Sequence, residues 1–532
     1  MHTIYKPYGL QKKLLTGTLA LLGLGCSLPA LAADPVTLKV APHASLRLLD
    51  PLTTTAYITR NHGYMVYDTL FAMDVDSNPR PQMVESWETS EDGLHWTFTL
   101  REGLTFHDGA PVTSEDVIAS LERWMKRDLT GGRLASVMER MRPMDARQFE
   151  MVLKSPFGPM LDALGKPSSL VPFIMPKRIV DAAGDQNITE VVGSGPYRFV
   201  ADAFQPGVKV IYEKFEDYRP RAEPVSGLAG GKQVMVDKVE WLSFPDVQTT
   251  ANALRAGEID MIERLNFDNA SQLDGAPGIA LYKMPNLSVP VMRINWLQPP
   301  FDNVKNRQAV LHAISQLDFM DALIGDPEGY ATCGSMFGCN TPLTNDAGVV
   351  VTDEAKLDEA KALLKEGGYN NEKVVILNNT DTPSFQGLAP LTAQMLRSIG
   401  MNVEVQSMDF ATYLSRRNLQ TPVGEGGWSI AFGVWEAIDL ASPLSNMNLD
   451  SRGAKGYAGW SEDAEIERLK SAFAAEGDPA KQKEIASEIQ RIAYEKVFNI
   501  PLGGWYNYVV QRTSVTPHPD ALFPIFWGFG KQ

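Results

Sequence analysis

Cysteine and histidine are both scarce in this chain, with three Cys and seven His among 532 residues. None of them gathers with acids in a tight cluster, so neither a metal site nor a cofactor is expected. Catalytic signatures are missing as well: there is no G-x-S-x-G elbow and no H-E-x-x-H. Positive charge is in deficit, with 49 Lys and Arg against 64 Asp and Glu and a formal net charge of −15. A chain this acidic repels phosphate backbones and anionic lipid surfaces, which argues against nucleic acid and membrane partners. The N-terminal apolar run, Leu14 to Leu28, is too short to span a bilayer, which takes about 20 residues.

That run has the features of an export signal. Lys12 and Lys13 precede it and Ala30-Leu-Ala32 follows it, so residues 1–32 read as a secretory signal peptide with cleavage after Ala32. Cleavage removes Lys6, Lys12 and Lys13 and no acid, leaving the chain three units more negative. Cys26 follows Gly23-Leu-Gly25, without the aliphatic residue that lipidation needs three positions upstream, so soluble export is expected. The two other cysteines, Cys333 and Cys339 in CGSMFGC, then read as a disulfide in an oxidising compartment.

With 44% hydrophobic and 21% charged residues, a chain of this length divides into two or three domains. Val36–Ala41 alternates as a strand, and Asn61–Phe71 carries Tyr64, Tyr67, Leu70 and Phe71 at helical spacing. Asp92-Gly93 marks a hairpin before the alternating strand His95–Arg101, and Ser114 reads as the cap of a helix with acids in its first turn. A βαβ rhythm follows. Strand 238–244 leads to a helix capped by Asp246 and stopped at Gly257. Later a Thr352-capped helix, strand 374–377, helix 388–399, strand 402–405 and helix 409–417 repeat it. Pro299-Pro300 stands near the junction of the two α/β halves. Gly503-Gly504 suits a flexible return point, and Phe523–Phe529 is dense enough in aromatics to be core.

Trp428–Trp435 reads as a half-buried strand, and beyond it stands a lone acid, Asp439, between Ile438 and Leu440. A carboxylate among apolar neighbours costs desolvation unless a cation meets it. Either a structural Arg or Lys or a ligand ammonium supplies that cation, and the residues alone leave both open.

Pro79–Val117 holds S-W-x-x-S-x-D-G-L-x-W-T-F-x-L-R-x-G-x-x-F-H-D-G. This stretch closely resembles the extracytoplasmic solute-binding proteins of peptide/nickel-type ABC importers. Val192–Tyr197, Glu216–Arg219, Ala253–Asp260, Phe301–Ala309 and Ala360–Tyr369 resemble further elements of that family, so the likeness covers nearly the whole mature chain. It implies an α/β fold of the type II periplasmic binding protein kind: two lobes, a central cleft and a subdomain inserted in the first lobe. The expected division is 33–70, 187–290 and 500–532 for lobe I, 71–186 for the insertion and 291–499 for lobe II. The implied function is that of a periplasmic receptor, not an enzyme. It would be a monomer that captures a small peptide or peptide-like solute and delivers it to an inner-membrane ABC permease.

In peptide binders of this family an Asp close after a Trp and four residues ahead of a Pro receives the ligand's α-ammonium. Trp435, Asp439 and Pro443 reproduce that arrangement. Trp428, Trp435 and Tyr57 are candidate apolar walls, Thr55 stands beside Tyr57, and Asn379 and Asp381 suit hydrogen bonds to a polar solute. One departure stands out. Dipeptide binders place an Arg for the ligand carboxylate in the loop matching Asn378–Gln386, where this chain has neither Arg nor Lys. A longer peptide, an oligosaccharide, an amino-acid conjugate or a metal chelate therefore stays open as cargo. The rival from another class is an exported hydrolase using His107 and Asp108. Arg307 reads as a brace at a helix start, and Gly227–Lys232, which lacks the Ser or Thr of a phosphate loop, as a surface loop.

Overall fold

The alternation of Thr37-Leu-Lys-Val-Ala41 does form a strand, β1 (Thr37–Ala41), with Leu38 and Val40 buried. The computed structural model describes residues 34–351 and 354–532, so the expected export signal and the Thr352 cap lie outside the described residues. Residues 36–532 form one unit. In the first of two seven-stranded sheets, β1 runs parallel to the strand Lys238–Leu242 on one side and to β2 (Met261–Asn266) on the other. β3 (Ile279–Lys283) lies at this sheet's edge.

The second sheet is built on β4 (Ser288–Ile294), buried at every residue, and β5 (Ile430–Glu436). These two pair antiparallel from Ser288 opposite Glu436 to Ile294 opposite Ile430. Beyond β5 the strands Lys373–Asn379 and Asn402–Met408 run parallel, joined by the helix Leu388–Ser398. Near-continuous apolar strands such as Val374–Leu377 are those that helices cover on both faces.

The chain passes between the sheets twice, at neighbouring points. It leaves β3 at Lys283 and enters β4 at Ser288. It returns from Trp505, paired with Ser288, to β6 (Asn507–Arg512), which inserts antiparallel between β2 and β3. The amide of Met284 donates to the carbonyl of Asn507 (2.9 Å), tying the two crossings together. Pro299-Pro300 therefore lies beyond the junction, in the turn before the helix Val304–His312. Gly503, at φ 92°, is pressed against Met320 and is a packing position rather than a free swivel.

Residues between the first strands of the first sheet form a separate four-stranded antiparallel sheet, Val84–Thr89, His95–Leu100, Gln148–Leu153 and Met138–Pro143. The helix Ser114–Met125 packs on it. Its cap is Thr113 rather than Ser114: Asp116 Oδ2 accepts from both the amide and the hydroxyl of Thr113, while Ser114 is buried and donates to the Asp145 carbonyl. The cap at Asp246 uses its side chain as sequence predicts, and Asp409 and Asp478 cap their helices in the same way.

Two further expectations are corrected. Residues 61–71 are not one helix: α1 (Tyr57–Val66) ends early, and Asp68–Thr69 and Phe71–Met73 are short strands. The chain turns there because the loop Gly193–Gly195 lies against the Val66 carbonyl, where a Cβ on Gly193 would stand 2.1 Å from that oxygen. Gly227–Lys232 is not a surface loop. Lys232 is fully buried, its Nζ 2.8 Å from Asp68 Oδ1 and over the Trp527 ring. The aromatic tail is core as expected, with Phe523, Ile525, Phe526, Trp527 and Phe529 all buried. Burying each such side chain contributes about 1.5–3 kcal/mol.

Candidate functional site

β5 ends in two acids of different fate, Glu436 and, within the short helix α2 (Ala437–Leu440), Asp439. Both are buried. Glu436 gathers Arg60 of α1 (Nη1 to Oε2, 2.5 Å), Arg264 of β2 and the amide of Asn286 (3.3 Å). Burial alone would raise its carboxyl, but the charges and hydrogen bonds of the two arginines outweigh it and hold Glu436 below the usual range. Arg60 is held further by Ser168 Oγ at 2.8 Å and by the Phe523 ring, 3.7 Å beneath the guanidinium.

Asp439 has no such cation. Its Oδ2 accepts from the hydroxyl of Tyr57 at 2.6 Å, and its Oδ1 is buried without a hydrogen-bonding partner. Burial pushes its carboxyl up and the charge of Glu436 adds to that; Tyr57, Arg60 and Ser168 oppose it only in part. The Tyr57 oxygen also accepts from the Glu436 amide at 2.9 Å. Tyr57 and Arg60 belong to the first sheet's side of the molecule and Glu436 and Asp439 to the second, so this network spans the junction.

A cavity of about 460 Å³ lies beside it, with walls from both sides. Met73, Asp162 and Ser168 face Leu343, Ile438 and Phe473 across it. Cys333 and Cys339 form the expected disulfide, and the wall segment from Cys339 to Leu343 follows directly from it. Beyond the cavity, Arg133 Nη2 meets Glu467 Oε2 (2.5 Å). The Gly158 amide donates to the Ala474 carbonyl (2.9 Å), so the two sides touch there too.

Of the residues singled out from sequence, Tyr57 and Asp439 come together. Trp435 is half-buried on β5, one residue from Glu436 and so on the other face of the strand, its ring edge-on to Tyr457. Thr55 is exposed just ahead of α1. Trp428 is a correction: it is fully buried, with Nε1 donating to the Arg417 carbonyl and its ring against Trp460, so it is core and walls no cleft. Asn379 and Asp381 are also corrected, because both are occupied in a turn. Asn379 Oδ1 accepts from the amides of Asp381 and Thr382, and Asp381 Oδ1 accepts from the amide of Phe410. His107 and Asp108 do not act together. His107 is buried between backbone groups of Gly193 and Gly195, its pKa lowered to about 4 mainly by burial, while Asp108 pairs with Arg178. Arg307 is the expected brace, held by the carbonyls of Phe301 and Lys496 and lying 3.7 Å from the Trp296 ring.

Sequence reasoning missed Glu436, Arg60, Arg264 and Asp162. Glu436 stood in plain view beside Trp435, but its partners are 376 and 172 residues away in the chain. Among the described residues there is no group of three or more His, Cys, Asp or Glu placed to hold a metal, and no helix long and apolar enough to cross a membrane.

Two α/β bodies joined by two adjacent crossings, with a ligand-sized cavity at their junction, define a receptor of the type II periplasmic binding protein class. The chain belongs to the bacterial extracellular solute-binding proteins, family 5, whose middle region matches residues 78–456. It is 35% identical over 94% of both chains to a probable peptide ABC transporter periplasmic-binding protein of Sinorhizobium fredii. It is 30% identical over 71% of both chains to a glutathione-binding protein of Pectobacterium atrosepticum. Among solved structures, a periplasmic binding protein of Helicobacter pylori in complex with the peptide STSA shares the fold (TM-score 0.77, 23% identity), covering 93% of this chain and 98% of that one.

Proposed function

We propose that this receptor captures a short, amine-bearing peptide between its lobes in the periplasm and delivers it to an ABC permease. The observation that carries the reading is Asp439: a buried carboxylate beside the interlobe cavity, oriented by Tyr57 and left without a cation because Glu436 takes both nearby arginines. A peptide α-ammonium supplies the missing charge, and a charge-assisted hydrogen bond in a water-poor site is among the stronger polar contacts. The names of the Sinorhizobium and Pectobacterium relatives support a peptide cargo.

We place the divide between the lobes at the two crossings, Met284–Leu287 and Tyr506, with residues 71–186 inserted in the first lobe. The ligand then favours the closed arrangement because it touches both lobes at once. The protein acts as a monomer exported by its N-terminal segment, and it leaves its cargo chemically unchanged.

Isothermal titration with a panel of free and N-acetylated peptides tests this. Tight stoichiometric binding of the free amines, lost on acetylation and in Asp439→Asn, is the expected result. Equal binding of acetylated peptides would remove Asp439 from the site. A second reading keeps the fold and changes the cargo to a solute without a free carboxylate. It is favoured by the cavity's one cation, Lys166, being taken by Asp128 at 2.5 Å. Peptide amides in the same panel separate the two.

A further inference from the structure

Asp162 has no charged partner among the described residues. It sits in the first turn of the short helix Met160–Leu164, solvent-exposed and among the residues that line the cavity. Among the described residues the cavity's lining has one other charged residue, Lys166, whose ammonium is spent on Asp128 Oδ2 and the Ser169 carbonyl, both at 2.5 Å. Among the described residues no cation or donor from another residue meets the Asp162 carboxylate, and the protein mass beside it pushes its carboxyl up despite its surface exposure. Of the other acids near the cavity, Glu436 holds two arginines and Asp128 holds Lys166, while Asp439 forms no ion pair among the described residues. The neighbouring surface is apolar, from Met73, Pro159, Leu343 and Phe473.

An unmatched carboxylate at the end of an apolar wall suits a flexible alkyl stem that ends in positive charge. We propose that Asp162 is a specificity-determining residue that selects ligands carrying a second cationic group on an alkyl arm, as a lysyl or arginyl side chain does. This rests on the reading of the cleft as a site for amine-bearing peptides. Asp439 takes the α-ammonium that every peptide has, while Asp162 reads a side chain that only some have. The specificity arises because a neutral arm leaves the Asp162 charge partly desolvated and unpaired, whereas a cationic arm satisfies it.

The test compares Ala-Lys-amide with Ala-norleucine-amide, which have the same α-ammonium and nearly the same stem, by isothermal titration on the full chain. The wild-type protein is expected to bind the lysyl compound at least about tenfold more tightly, as one charge-assisted contact gives. Asp162→Asn is expected to erase that preference by bringing the two affinities together, and Asp162→Glu to retain part of it. Equal wild-type affinities for the two would overturn the role of Asp162 and leave the peptide-receptor reading standing. A preference that survives in Asp162→Asn would do the same. Failure of both compounds to bind the wild-type protein would overturn both readings. The wild-type comparison decides the matter even if a variant fails to fold.

Discussion

The Tyr57 hydroxyl donates to Asp439 Oδ2 at 2.6 Å across 382 residues of chain, and its oxygen accepts the Glu436 amide at 2.9 Å. One phenol thus fastens the start of α1 to the end of β5 from the opposite lobe. It also sets the direction of the carboxylate, leaving Oδ1 as the buried oxygen without a partner. Burial, followed by the charges of Asp439 and Glu436, holds the Tyr57 proton firmly, so Tyr57 stays a donor at any physiological pH.

Tyr57→Phe removes this donor and leaves a second oxygen of Asp439 unsatisfied. Loss of about 1–3 kcal/mol of stability is expected, the cost of a buried acceptor without a partner. Urea unfolding measures it. A change within error would mean that water replaces the phenol and that the contact is incidental.

Binding of amine ligands should weaken as the pH falls, and at a higher pH than an ordinary aspartate would produce. The sign follows from the proposed pairing of a ligand ammonium with the Asp439 carboxylate, whose folded pKa is raised, chiefly by burial and then by Glu436. Protonation therefore begins above the usual carboxylate range of about 4. Titrations from pH 7 to pH 4 should show the loss in the wild type and a flat, weak response in Asp439→Asn.

Glu263, whose pKa is shifted the other way, gives a stability prediction. It accepts from His43 and Asn61, is buried, and has its pKa lowered to about 2. Burial works against that shift, and the charge and hydrogen bonds of His43 overcome it. A depressed carboxyl contributes stability that is complete above the unfolded value near 4.3 and is lost as the pH falls through the folded value. Glu263→Gln should therefore flatten the decline in stability between about pH 4.3 and pH 2, where the wild type loses roughly 3 kcal/mol from this group. Denaturant curves at stepped pH measure it. Parallel wild-type and mutant profiles would show the group to be uncoupled from folding.

Gly158 lies so close to the other lobe that a Cβ there would stand 1.7 Å from the Glu476 carbonyl oxygen. Gly158→Ala should hold the lobes apart, reducing ligand affinity by tenfold or more while the unliganded protein melts where the wild type does. Small-angle scattering with saturating ligand would report a larger radius of gyration in the mutant. An equally small radius would show that the lobes adjust without cost.

The Cys333–Cys339 bridge closes a short loop, so its loss should cost only about 2 kcal/mol of global stability. Because the cavity wall Cys339–Leu343 hangs from it, ligand affinity should fall further than that figure alone would suggest in Cys339→Ser. Titration and thermal melting of the same preparation separate the two effects.

Local chemistry was legible in the sequence and remote partnership was not. The cap at Asp246, the strand β1 and the helix that begins at residue 409 follow from neighbours within a few residues. The error at residues 61–71 arose where helical spacing was real but a distant loop decided the outcome, with Gly193 and Gly195 on Val66 and Lys232 on Asp68. Asp439 stood out because it was isolated among apolar residues. What made it isolated, the capture of both arginines by Glu436, needed the fold. Trp428 shows the converse: an aromatic near the right segment whose indole simply completes the interior.

The paired connections at Met284–Leu287 and Tyr506 have a mechanical corollary. Two strands of backbone laced side by side permit swinging about a single edge and resist sliding or twisting, as the spine of a book does. A substitution at Tyr506, which does not line the cavity, would alter how readily the empty receptor gapes while leaving the cavity wall unchanged.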